Sequence, residues 1–270
     1  MEAAAYDIYT EQLRATLESA REVVGLVTLG STVDSTFRDE WSDHDFWVIT
    51  KAGAQDSFLN DFSWLPDADN IAITVCHGKS RRTMVYRNGH KVEFAVFDVN
   101  EAHEGKAQRY GILIDRDQIA ELMESVYQVT LKQAQAGRAR PDVLQNLCVL
   151  VWSACERYSR GELLSARQYV DGFAVNQLLS LMSVSNSETV AEGEDELDPR
   201  RRLELRSPRL AEEVLTILEE PVPEAALHLL EIAERELKQK APTLAWNNVT
   251  MVQGWIWELV RNVAGMGTVT

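Results

Sequence analysis

A chain of 270 residues is long enough for one large domain or two modest ones. Its 45% hydrophobic and 26% charged residues are ordinary for a globular protein and too apolar for a disordered one. With 42 acidic against 27 basic side chains the net charge is -15, which excludes a general affinity for nucleic-acid phosphates. That charge suits a cationic small substrate, or an anionic one arriving with its own metal ions.

Residues 4 to 22 place Tyr6, Tyr9, Leu13, Leu17 and Ala20 at steps of three and four, the stripe of an amphipathic helix. Val23 to Leu29 is β-rich and nearly continuous, a buried strand that stops at Gly30. From His44 to Thr50 the pattern alternates, with Phe46, Val48 and Thr50 on one face and Asp45, Trp47 and Ile49 on the other. A short helix is expected over 54–64, before Pro66, and Ile71 to Cys76 is a further β-branched run. Arg82–Arg87 and Lys91–Val99 flank Asn88-Gly89, a hairpin signal in which both turn residues would take φ > 0. Gly111 to Asp115 is a last brief strand.

After residue 116 the period changes from two to 3.6, and helices are expected at 117–136, 142–160, 162–184, 208–219, 223–238 and 247–262. Leu144, Leu147, Cys148, Val151, Trp152 and Cys155 make a wide apolar stripe of the kind that packs a bundle. Trp152, Tyr158, Tyr169 and Trp246 are placed in its packing, and Glu192–Glu196 is read as a solvated acidic loop. The expected fold class is α+β: a mixed sheet with flanking helices over 1–116, then a helical, substrate-binding bundle over 117–270. Cys76, Cys148 and Cys155 show no C-x-x-C spacing and cannot all pair, which fits neither a disulfide framework nor a zinc ribbon. There is no basic-apolar leader and no apolar run near ~18 residues, so a cytoplasmic protein with no membrane contact is expected.

Three pieces of the first domain carry chemistry. Gly30-Ser31 sits where a buried strand ends, a junction at which glycine lets a phosphate approach the backbone. Asp43 and Asp45, two apart at the opening of a strand, lie on one face, and like charges that close ask for a hard divalent cation. Glu93 is a lone carboxylate inside the apolar run Val92-Glu93-Phe94, or a partner for Lys91 on the same face. His44 lies on the opposite face from the aspartates and is read as structural, as are His77, His90, His103 and His228, and Asp98 as a strand-end residue. Arg200, Arg201 and Arg202 are read as a solvated balance to the acidic loop.

Gly30-Ser31, eleven residues, then Asp43-x-Asp45, then an apolar-Glu93-apolar strand resembles the nucleotidyltransferase superfamily of DNA polymerase β. Within it the chain is most similar to the bacterial lincosamide and aminoglycoside nucleotidyltransferases, with Arg160-Gly161-Glu162 and Asp198-Pro199-Arg200-Arg201 as looser matches. The resemblance implies that Asp43 and Asp45 bind Mg²⁺, that Gly30 and Ser31 hold a nucleoside triphosphate, and that Glu93 is a third ligand or the base. It implies transfer of a nucleotide, AMP from ATP, onto a hydroxyl of a small molecule such as an aminoglycoside or lincosamide, with release of pyrophosphate. Glu162 is a candidate substrate residue, and a homodimer is the oligomer to expect. Relatives carry a small-basic-Gly run after Gly-Ser, whereas this chain reads Thr32-Val33-Asp34-Ser35, and a carboxylate there repels a triphosphate. Arg38, Lys91 or Arg82 could offset it. Two alternatives stay open: a catalytically silent binding protein of the same fold, which Asp34 favours, and a transferase that modifies a partner protein.

Overall fold

The computed structural model describes residues 3–33, 38–138, 142–186 and 198–266. Asp34 and the acidic stretch 192–196 fall outside the described residues. The chain divides into two compact units, residues 1–133 and 134–270.

In the first unit, helix α1 (Ala3–Ser19) leads into β1 (Val23–Leu29), a 3-10 turn (Gly30–Thr32) and β2 (His44–Thr50). Helix α2 (Gln55–Asn60) precedes β3 (Ile71–His77), β4 (Arg81–Tyr86), β5 (Lys91–Asp98), β6 (Tyr110–Asp115) and α3 (Ile119–Arg138). The six strands form one sheet in the order β3-β4-β5-β2-β1-β6. Only the β2–β5 pair is parallel among the described ladders; the other four are antiparallel.

Alternation along β2 and β5 sorts their side chains to two cores. On one face Phe46, Val48, Phe94 and Val96 meet Leu13 and Leu17 of α1 and Phe58 and Leu59 of α2. On the other, Trp47, Ile49 and Ala95 meet Ile119, Met123 and Val126 of α3. This second core takes the first turns of α3 into the sheet's packing, and the first compact unit runs to residue 133. The core stops short of the first residues of β2 and β5, where Asp45 and Glu93 are only half-buried.

The β4–β5 hairpin is present, but its turn differs from the expected one. Gly89 alone takes the left-handed conformation, at φ +85°, and Asn88 does not. Bonds from the Gly89 amide to the Tyr86 carbonyl (2.9 Å) and from the Tyr86 amide to the His90 carbonyl (2.8 Å) close a three-residue connection. The Asn88 side chain accepts the His90 amide at 3.0 Å, a local bond that favours this longer loop.

The second unit comprises α4 (Val143–Ser159), α5 (Leu163–Arg167), a π-helical segment (Gln168–Ala174), α6 (Val175–Asn186), α7 (Leu203–Arg206), α8 (Pro208–Glu219), α9 (Val222–Leu237) and α10 (Trp246–Met266). Its core joins Leu147 and Val151 of α4, Leu178 of α6, Leu229 and Leu230 of α9, and Ile256 of α10. The single helix expected over 162–184 is present as a continuous helical run from Leu163 to Asn186 that widens to a π-helix over Gln168–Ala174. Cys148 and Cys155 are buried in this core, which pushes their thiols up to about 11 and about 12. No helix among the described residues is long and apolar enough to cross a membrane.

Candidate functional site

The sheet brings Gly30, Asp43, Asp45 and Glu93 to one end of one face. Gly30 turns the chain out of β1 at φ +56°, a conformation that side-chain-bearing residues rarely adopt, and the Asp45 carboxylate lies over it, 4.0 Å from where a Cβ would be. Asp45 and Glu93 are register partners across the parallel β2–β5 ladder, so their side chains stand side by side. One step back along each strand face, His44 pairing with Val92 sets Asp43 beside Lys91. The Lys91 ammonium bonds the Asp43 carboxylate at 2.8 Å and the Glu93 carboxylate at 3.2 Å. Partial burial alone would lower the Lys91 pKa, but the bonds to Asp43 and then Glu93 outweigh it and hold it above the ordinary lysine value.

A chain of hydrogen bonds locks the turn to the aspartate loop, and its direction follows from counting hydrogens. The Tyr6 hydroxyl donates to the Asp43 carbonyl at 2.8 Å, which can only accept. Tyr6 must therefore accept from the Thr32 hydroxyl, 2.8 Å away, and Thr32 in turn accepts the Asp45 amide at 3.1 Å. Burial pushes the Tyr6 phenol up to about 12 and keeps it protonated for this role. Sequence reading placed Tyr6 in an apolar helix stripe and missed this; the signal was that a buried tyrosine hydroxyl needs a partner.

Behind the carboxylates, His44 is buried as expected, stacked on Tyr6 at 3.6 Å between ring centroids. Its Nε2 faces the Tyr6 carbonyl at 3.2 Å and so carries the proton, while its Nδ1 accepts from Nε2 of the buried His90 at 3.0 Å. Burial pushes His44 down to about 3 and His90 down to about 4. Histidines in an unfolded chain take up protons below about pH 6.5, whereas the folded pair does not until far lower, so stability falls as pH drops through this window. Between pH 7 and 5 the two histidines together should cost the first unit about 4 kcal/mol, read by urea-dependent hydrogen exchange of β2 and β5 peptides. A His44→Gln/His90→Gln variant should show a much flatter pH dependence; the same drop in that variant would rule the pair out as its source.

The other candidates separate. Arg38 lies beside the turn, its guanidinium 3.5 Å from the Thr32 carbonyl and stacked 4.2 Å from the Tyr6 ring centroid, with Asp7 bonded at 2.5 Å. Arg82 is buried on the opposite face, bonded to the carbonyls of Lys79, Arg81 and Leu59, and takes no part here. Ser31 is buried in the turn. Asp98, on the other face, accepts the amides of Asn100, Glu101 and Gly53 at the end of β5. Glu162 belongs to the second unit and is bonded to Arg160 at 2.9 Å, with Arg157 at 3.8 Å. Its hydrogen bond with Arg160 holds the carboxyl below the usual range, which makes it a weaker base. Arg200 is not merely solvated: it bonds the Asn176 side chain at 2.6 Å and the Gly172 carbonyl at 3.2 Å.

The donor set of Asp43, Asp45 and Glu93 is all hard oxygen, the chemistry that suits Mg²⁺. Among the described residues, no three acidic, histidine or cysteine side chains stand together so that they could hold a metal ion as they lie. A cation, the Lys91 ammonium, already lies on two of these three carboxylates. The residue types fit a divalent ion, provided that the ammonium withdraws.

No family model and no curated protein matches the chain. Among solved structures it is similar to an aminoglycoside 6-adenyltransferase from Bacillus subtilis, at 13% identity and TM-score 0.37 over 93% of this chain and 97% of that one. A nucleotidyltransferase-like protein from Exiguobacterium sibiricum is similar at 13% identity and TM-score 0.40, over 97% of this chain and 91% of that one. The STING-associated CdnE c-di-GMP synthase from Capnocytophaga granulosa is similar at 11% identity and TM-score 0.29, over 98% of this chain and 83% of that one. At identities this low, what the chain does rests on its own residues.

Proposed function

We propose that the chain is a nucleotidyltransferase that moves a nucleotide, AMP from ATP, onto a hydroxyl of a small molecule and releases pyrophosphate. The observation that carries this reading is the register of Asp45 against Glu93 across β2–β5, beside Asp43 and over the Gly30 turn. Asp43, Asp45 and Glu93 would hold Mg²⁺, which when bound supplies neutralisation of phosphate charge. Gly30 and Ser31 would receive the triphosphate at the end of β1. The acceptor hydroxyl oxygen would form the new bond to the α-phosphorus as the bond to pyrophosphate breaks, and Glu93 would take the hydroxyl proton. The net charge of -15 favours a cationic acceptor, an aminoglycoside or a lincosamide.

The test is pyrophosphate release from each of four nucleoside triphosphates with Mg²⁺ and a panel of aminoglycosides and lincosamides. Release that needs both an acceptor and Asp43, with Asp43→Asn as control, is the expected result. Silence across the panel together with no calorimetric binding of any triphosphate would instead favour the non-catalytic binding protein.

A further inference from the structure

Lys91 and Glu93 are two residues apart on β5, as Asp43 and Asp45 are across from them, and the four form a patch with one positive corner. The positive corner sits on the ligands themselves, 2.8 Å from Asp43 and 3.2 Å from Glu93. A divalent ion bound by those two carboxylates would lie within a few ångströms of the ammonium, where the two positive charges repel. Metal and ammonium therefore compete for the same carboxylates.

We propose that Lys91 is a built-in counter-ion that competes with divalent metal for the carboxylate site, so that metal enters only as the ammonium leaves Asp43 and Glu93. The inference rests on the nucleotidyltransferase reading above and adds to it a residue that sets the site's affinity for metal. Without metal, Lys91 screens carboxylates that would otherwise repel one another. Its side chain is 45% exposed, so the ammonium can swing into water on its flexible stem. A triphosphate arriving with the metal offers it a new anionic partner, which would couple metal entry to nucleotide entry.

Partly exposed ion pairs are individually weak, so the competition is expected to cost the metal about tenfold in affinity. The experiment is a Mn²⁺ titration of the full chain without nucleotide, followed by the electron paramagnetic resonance signal of free Mn²⁺. Lys91→Met, which keeps the stem and removes the charge, should bind about tenfold tighter than wild type, while Lys91→Arg should stay close to wild type. Lys91→Gln provides a second uncharged variant, and thermal melting checks that each is folded. If the folded uncharged variants bind Mn²⁺ no tighter than wild type while Asp43→Asn still weakens binding, the metal site stands and the role of Lys91 is overturned. If no variant binds Mn²⁺, or Asp43→Asn changes nothing, the metal-site reading falls and this inference with it.

Discussion

Replacing Asp45 by Asn should lower nucleotide transfer on the order of a thousandfold while leaving the fold intact. The substitution is nearly isosteric, so the side chain can still lie over the Gly30 turn. The bond from the residue 45 amide to the Thr32 hydroxyl is a backbone bond and survives. What is lost is one negative charge beside Glu93, which the proposed mechanism uses to hold Mg²⁺. Turnover measured against the urea midpoint of the same variant separates the two effects. A loss smaller than about tenfold with an unchanged midpoint would mean that Asp45 is not a ligand.

The largest effect on stability is expected at Phe46. It is fully buried, stacked on Phe94 at 5.5 Å and edge-on to Trp64 at 6.4 Å between centroids. Its strand neighbours Asp45 and Trp47 face the other side, so Phe46 anchors β2 from behind the face that carries Asp45. Phe46→Ala leaves a cavity between sheet and helices and should cost about 3–5 kcal/mol. Hydrogen exchange of β2 peptides under urea reports on this unit separately from the helical one. A cost below about 1 kcal/mol would mean that the core closes over the gap, contrary to the packing described.

Much of the candidate site was legible because it is written in short-range spacing. Asp43 and Asp45 share a face through the two-residue period of a strand, and Glu93 stands out as a charge in an apolar run. The assignment of Phe46 and Val48 to one face and Trp47 and Ile49 to the other follows from the same period and agrees with the two cores. Other features escaped local reading. Arg82 and Arg38 are both basic residues near the motifs, yet Arg82 is buried against the Leu59 carbonyl, away from the site, while Arg38 lies beside the Thr32 carbonyl and the Tyr6 ring. The helix expected over 162–184 is present as one unbroken helical run, but its π segment over 168–174 is set by packing and not by a local signal.

The sequence by itself determined the strands, the order of the motifs along them, and the face on which each motif residue stands. These follow from backbone period and side-chain polarity within a few residues. Only the tertiary structure decided that β2 pairs with β5 in parallel, with Asp45 opposite Glu93 and Lys91 between Asp43 and Glu93. It alone brought Tyr6 of α1 to the Asp43 carbonyl, 37 residues away in the chain. The reason is physical: period sets which way a side chain points, but the register of distant strands is settled by burying both faces of the sheet at once, a sum over residues from α1 to α3 that no local window contains.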